Sequence, residues 1–438
     1  MCMIEIQGLS ISYKDRNIIE NTDICIENGD FIYFAGKSGV GKSTLLEYLS
    51  GVLEKTSNAL IRYESYANSF SSIRHMLQNV SSQFFYFKVY DELKHAIGIN
   101  YKGNFRKRVM ELAEKWEIMD FLERKIFTLS SGEQQLLLLI AISIEKPELL
   151  LLDEPTSFLD VKKKEIALNI LKDHNKTGGT IMISNHKSRE MRNFSGKFYF
   201  LDKQSISTLK WPFDKYKPEN YGLFPEDKIT ALNKNYSFGE DILTISNVCF
   251  SYSRKDLLIN VNANIRMGEW IQLSGLNGSG KSTLLKLILG ELKPQKGKIK
   301  RHKRLSFQFL SQNYRFYTRK ETILDEISGF DSSESMRLID LLRISNIINN
   351  DIFKLSCGEA KRAMILFALL NKPDVLIIDE PESGLDFEVL KIIMDLLYNL
   401  VVNGKLSIIN VSHEDWIGKK YASTKWAIKD CKMEVSYY

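Results

Sequence analysis

The chain has 438 residues, 44% of them hydrophobic and 26% charged, and a formal net charge of +6. That length predicts two or three globular domains rather than one core. The longest unbroken apolar run, Leu136 to Ile142, is far short of the ~20 residues of a spanning helix, and the five cysteines include no C-x-x-C pair, which argues against a disulfide framework, a zinc ribbon or an iron–sulfur site.

The first 35 residues carry no basic leader and no long apolar stretch, so no secretory signal is expected and the chain reads as cytosolic. They end in an apolar run, FIYFA, predicted as a strand. Next come Gly36, Lys37, Ser38, Gly39, Val40, Gly41, Lys42, Ser43 and Thr44, which fit G-x-x-x-x-G-K-[ST], and then a helical segment, TLLEYL. Strand, glycine loop and helix in that order are what a phosphate-binding loop requires. Residues 85–145 are rich in helix formers and predict an inserted helical subdomain. They contain LSSGEQQ from Leu129, and a continuous apolar strand, LLLLDEP, follows from Leu149. Lys162–Lys164 read as the solvated face of a helix.

Residues 203–240 hold Pro212, Pro218 and Pro225 among aromatics, so no helical period survives, and an irregular linker is expected whose aromatics pack on the modules. Beyond it the series repeats. WIQLS precedes a second loop of Gly275, Leu276, Asn277, Gly278, Ser279, Gly280, Lys281, Ser282 and Thr283. LSCGEAK stands at Leu355, VLIIDEP at Val375 and SIINVSH at Ser407, with a second helical insertion over 319–370. The phosphate-loop lysines are 239 residues apart and the later motifs 226 or 227, so one module of about 200 residues is duplicated and differs most in its middle. The expected boundaries are 1–202, a linker of 203–240, and 241–438. The basic stretch Lys293–Arg304 reads as a solvated hairpin, because no aromatics interleave for base stacking.

Both loops predict nucleotide binding. Backbone N–H groups and a helix start would surround phosphate oxygens, Lys42 and Lys281 would reach the terminal phosphates, and Ser43 and Ser282 would hold Mg²⁺. Asp153 and Asp379, each ending an apolar strand, would complete the metal's coordination. Glu154 and Glu380 are the candidates for polarising the attacking water.

Phosphate loop, LS-x-G-E, DEP, SFLD or SGLD, and a late histidine, in that order, resemble the ATP-binding cassette (ABC) ATPase domain over about 90% of the chain. The resemblance implies an α/β fold of two P-loop NTPase modules. Each would have a mostly parallel sheet core, an antiparallel β subdomain and the helical insertion, with ATP and Mg²⁺ bound. It implies that two modules pair head to tail within the one chain, Lys42 working with Ser356 and Gly358, and Lys281 with Ser130 and Gly132, and it places Glu133 and Glu359 among the ATP-binding residues. Tyr13 and Tyr252 match the adenine-stacking aromatic. Gln78 and Gln312 match the glutamine that contacts metal and water, Gln83 being a weaker candidate. His186 and His413 match the switch histidine, and Asp160 and Asp386 the D-loop aspartate. Ser131 and Cys357 replace a family glycine, and Leu136 replaces the basic residue kept as Arg362, which would make the two sites unequal.

MLQNVSSQFFYFKVYDEL, from Met76, resembles the corresponding stretch of energy-coupling-factor and cobalt-type importer ATPases, with Val80 in place of their proline. This implies a subunit lying peripherally on the inner face of the cell membrane, docked on separate transmembrane permease subunits, with no nucleic-acid partner. The alternative is a soluble translation factor of the ABC-F kind, whose long charged linker and EPTNHLD motifs are not found here. DNA-repair ABC ATPases would carry coiled coils or zinc modules, also not found.

Overall fold

The computed structural model describes the chain apart from residues 1, 14–15, 54–58, 69–70, 99–100, 187–193, 195, 203, 212–220, 222, 225–235, 253–254, 277, 303, 312–319 and 413. Two units divide it, Met1–Glu226 and Asp227–Tyr438.

In the first unit, long strands β1 (Cys2–Tyr13) and β2 (Arg16–Glu27) pair antiparallel. β3 (Phe31–Ala35) then leads into helix α1 (Lys42–Leu49). The short strands β4 (Ala59–Arg62) and β5 (Ser65–Asn68) complete the antiparallel sheet against β1. β6 (Ile73–Met76) opens the helical insertion, which holds α2 (Val89–Ile97), α3 (Phe105–Lys115) and α4 (Ser131–Ile144). The chain returns through β7 (Leu149–Asp153), α5 (Val161–Lys176), β8 (Thr180–Ser184), β9 (Gly196–Asp202) and β10 (Ser205–Trp211). The second sheet runs β10-β9-β3-β8-β7-β6, parallel except where β9 meets β10.

The four leucines of β7 are fully buried because helices cover both faces of a parallel sheet, and each contributes roughly 2 kcal/mol of burial. β7 ends at Asp153, where the apolar run stops, so its carboxylates emerge at the carboxyl edge of the sheet beside the start of α1.

The second unit repeats this plan. β11 (Asp241–Tyr252), β12 (Lys255–Arg266) and β14 (Lys296–Arg301) form the antiparallel sheet. The main sheet runs β15-β16-β17-β13-β18-β19, built from β15 (Phe307–Leu310), β16 (Val375–Asp379), β17 (Ser407–Val411), β13 (Trp270–Gly275), β18 (Thr424–Lys429) and β19 (Lys432–Tyr437). Its helices are α6 (Lys281–Leu289), α7 (Ile323–Ile327), α8 (Ser332–Leu341), α9 (Cys357–Leu370), α10 (Phe387–Val402) and α11 (Asp415–Tyr421). The expected α/β modules with antiparallel β parts and helical insertions are thus present.

Three observations differ from the sequence reading. Ser205–Trp211, inside the stretch expected as linker, is strand β10 at the edge of the first main sheet. The later linker aromatics do pack: Tyr221 sits edge-on against Phe198 and Phe200 in the first unit, and Tyr236 stacks on Phe238 in the second. Cys25 is disulfide-bonded, whereas Cys249 and Cys431 are free. The basic stretch is mainly strand β14, whose lysines Lys296, Lys298 and Lys300 are exposed at a sheet edge, where charge discourages pairing with another chain.

The turn after α3 and its counterpart after α8 each reach the helix that follows the D-loop. Glu117 pairs with Lys162 in the first unit, and Arg343 pairs with Glu388 at 2.7 Å in the second. The positions correspond, but the signs are exchanged. No helix among the described residues is long and apolar enough to cross a membrane.

Candidate functional site

Each phosphate loop wraps a helix start. Gly41 and Gly280 occupy the N-cap positions of α1 and α6 with φ of 113° and 104°, a region side chains rarely enter. At Gly41 an added Cβ would also lie 2.2 Å from a methyl of Ile18. The loop's carbonyls hold the lysine in place. Lys42 Nζ donates to the carbonyls of Gly36 and Lys37 at 2.7 and 3.0 Å, and Lys281 Nζ to those of Gly275 and Leu276 at 2.8 and 3.1 Å. The same contact set in two copies marks one built geometry rather than a coincidence of side chains.

In the first module Ser43 Oγ donates to Asp153 Oδ2 at 2.6 Å. A hydroxyl and a carboxylate this close, beside a helix start, form a hard-oxygen donor pair suited to a small divalent cation whose remaining ligands are water and phosphate. Among the described residues there is no cluster of three His, Cys, Asp or Glu that would hold a metal without such help. Burial pushes the Asp153 carboxyl up to about 6, Glu154 adds to the rise, and Ser43 and Lys42 oppose it. Asp379 likewise rises to about 6 through burial, with Lys281 and Lys361 opposing and Glu382 adding.

Glu154 and Glu380 are non-glycine residues at φ 50° and 49°. Such strain persists only where neighbours fix the backbone. The fixing bonds are visible: Glu154 N–H donates to Ser184 O and Glu380 N–H to Val411 O, both at 2.8 Å. Glu154 accepts from Ser157 Oγ at 2.8 Å, and its other oxygen lies 3.6 Å from His186 Nε2. Carboxylate and histidine are both buried, at 8% and 6% exposure, so they meet away from bulk water. His186 is held through its backbone, its carbonyl accepting from Phe224 N–H at 2.9 Å, while Tyr33 Oη donates to the neighbouring Asn185 carbonyl.

The signature segments begin helices. Ser130 caps α4 and Ser356 caps α9, each with a full capping box: Glu133 and Glu359 reach back to the serine N–H at 2.8 and 3.0 Å. Asp160 and Asp386 cap α5 and α10 in turn, accepting from Lys163 N–H and Val389 N–H, each at 2.9 Å. Four motif positions therefore place helix N-termini, with their partial positive charge, at defined points. Gly132 lies in the first turn of α4 and Gly358 in that of α9.

Gln83 is structural. Its amide bridges Leu77 N–H and the His75 carbonyl, both at 2.8 Å, and ties down the segment carrying Gln78. Tyr252 is 53% exposed, as a stacking platform requires. Asn277, Gln312 and His413, and the side chain of Tyr13, lie outside the described residues.

The reading that Leu136 makes the sites unequal is redirected by the structure. Arg362 donates through Nη1 to the carbonyls of Leu342 and Arg343 at 3.3 and 2.7 Å, at the end of α8, and through Nε to the Gly358 carbonyl at 3.4 Å within its own helix. Leu136 is instead 1% exposed within the first module's core. Arg362→Leu is accordingly expected to cost about 0.5–1.5 kcal/mol of stability through the lost hydrogen bonds. A lower thermal unfolding midpoint with an unchanged KM for ATP checks this.

Sequence reasoning missed Gln135, Thr156, Asn185, Lys361 and Glu382, all buried beside the carboxylate turns. Their signal was available as neighbours of the repeated motifs.

A family model described as ABC transporter matches residues 19–157 and 258–383. Among curated relatives, "ATP-binding protein Uup" of Buchnera aphidicola subsp. Acyrthosiphon pisum is 27% identical, over 97% of this chain and 80% of its own length. "Putative HMP/thiamine import ATP-binding protein YkoD" of Bacillus subtilis is 23% identical, over 98% of this chain and 90% of its own. Among solved structures, ABCE1 in a model of ribosome-bound archaeal Pelota and ABCE1 has a TM-score of 0.74 at 18% identity, covering 98% of this chain and 78% of that one. At that identity the likeness is one of fold.

Proposed function

This chain belongs to the ABC transporter family as a tandem ATPase, and from that premise we propose that its hydrolysis of ATP drives transport through separate membrane subunits. Glu154 and Glu380 polarise the attacking water, His186 orients that water and the γ-phosphate, and Lys42 and Lys281 neutralise the phosphates. Ser43 with Asp153, and Ser282 with Asp379, would hold Mg²⁺, which would neutralise charge on the phosphate oxygens. His413 and the glutamines Gln78 and Gln312 take the corresponding roles of switch and water contact.

The observation that carries the transport reading is a fixed, exposed aromatic loop. Phe85 and Phe87 are 80% and 81% exposed. The loop is nevertheless held: buried Glu92 accepts from the N–H groups of Phe85 and Tyr86 at 3.1 and 2.9 Å, and Phe87 O accepts from Ile126 N–H at 2.8 Å. Two large apolar side chains presented to solvent on a restrained backbone are a surface for a partner. The match to YkoD over nearly the whole chain supports an importer, and the energy-coupling-factor resemblance of the same segment points the same way.

The test is co-purification from detergent-solubilised membranes. The chain is expected to retain its membrane subunits, and Phe85→Ser with Phe87→Ser to lose them while keeping ATPase activity. ATP-dependent sedimentation with ribosomes, indifferent to those substitutions, would overturn transport in favour of the translation-factor reading.

A further inference from the structure

The two carboxylate turns are braced from the helix that starts at the signature serine, but with different chemistry. In the first module Gln135, five residues past Ser130, donates to the Glu154 carbonyl at 2.9 Å and accepts from Phe158 N–H at 3.0 Å. In the second the same position is Lys361, whose ammonium donates to the Glu380 carbonyl and to Ser383 O and Ser383 Oγ, each of the last two at 3.0 Å. The three oxygens match the three donors of an ammonium, but all are neutral. Lys361 is 5% exposed, and a buried cation in such surroundings needs a carboxylate to offset its charge.

Asp379 feels that charge, and a second change adds another carboxylate within the turn that Lys361 grips. Thr156 of the first module, buried and accepting from Asn185 Nδ2 at 2.7 Å, is replaced by Glu382, 4% exposed and accepting from Ser412 Oγ at 2.9 Å. Positions 135 and 361, 156 and 382, and 185 and 412 correspond in the repeat. A neutral set of glutamine, threonine and asparagine has therefore become one of lysine, glutamate and serine. Lys361 and Glu382 act in opposite directions on the Asp379 carboxyl.

We infer that Lys361 is a positioning residue for the Glu380 turn and that Glu382 is its obligate charge partner, the two forming one unit that replaces Gln135 and Thr156. The inference rests on the reading of Glu380 as the water-polarising carboxylate. Lys361 touches the backbone of that residue and not the reacting atoms. It links the signature helix to the strained turn, so it sets where the Glu380 carboxylate points.

The experiment isolates the second site by measuring ATP turnover of the full chain in a Glu154→Gln background. Adding Glu380→Gln to that background must silence it; residual turnover there refutes the reading of Glu380 and not the pairing. In the parent background, Lys361→Gln alone and Glu382→Thr alone are each expected to lower kcat about tenfold, with KM for ATP changed less than about twofold. The double variant, which rebuilds the first module's pair, is expected to recover to within about threefold of the parent. A double variant as slow as the product of the two singles, or singles that leave kcat unchanged, would overturn the pairing. If Lys361→Gln fails to fold, the reciprocal graft asks the same question in a Glu380→Gln background. There Thr156→Glu slows turnover and Gln135→Lys with Thr156→Glu restores it, and a pair no faster than its worse single member overturns the inference.

Discussion

Glu154→Gln combined with Glu380→Gln abolishes ATP turnover, by at least about 10³-fold, while ATP binding is retained. The amide preserves the shape and size of each side chain, and the left-handed backbone beneath it does not depend on the carboxylate. It is held by Glu154 N–H to Ser184 O and Glu380 N–H to Val411 O. Ser157 Oγ and His186 Nε2 remain next to position 154. Lost is the ability to accept a proton from, or align by charge, the water attacking the terminal phosphate. Rates of phosphate release together with equilibrium binding of a fluorescent nucleotide read both halves of the prediction. Undiminished hydrolysis in the double variant would remove both residues from the catalytic role.

The second large effect concerns the loop lysines. Lys42→Ala and Lys281→Ala each weaken ATP binding at their own site by roughly 10- to 100-fold, the worth of a charged hydrogen bond lost to phosphate. The two losses are expected to agree within about threefold. Both ammonium groups make the same pair of loop-carbonyl contacts, and Leu136 and Arg362 sit in the signature helices and make no contact with either lysine. Site-resolved nucleotide titration measures them, and losses differing tenfold or more would return Leu136 to consideration.

Much of this was legible in the order of residues. A glycine spacing that only phosphate cradles need, set between an apolar run and a helical period, located both loops, and uninterrupted leucines ending in Asp-Glu located the carboxylates. The positive φ of Glu154 and Glu380 was not legible, because it arises from hydrogen bonds to β8 and β17, strands about 30 residues downstream. β10 was readable and was missed. Ser205–Trp211 precedes all three prolines, yet their punctuation dominated the whole stretch. Gln83 shows the opposite limit, for a glutamine near a motif looks functional until its amide is seen bonded on both sides by backbone. Lys361 and Glu382 were visible as letters, but their relation required knowing that positions 21 residues apart face one turn.

The exchanged pairs Glu117–Lys162 and Arg343–Glu388 carry one more consequence. Solvent-exposed ion pairs contribute little to stability, roughly 0–1 kcal/mol, so stability alone is a weak reason for keeping both positions charged through a reversal of sign. Reversal does confer identity. A helical insertion transplanted from the first half into the second would set Glu117 against Glu388, and the converse exchange would set Arg343 against Lys162. Each insertion is thus matched by charge to its own core, a small preference for its own half over the other.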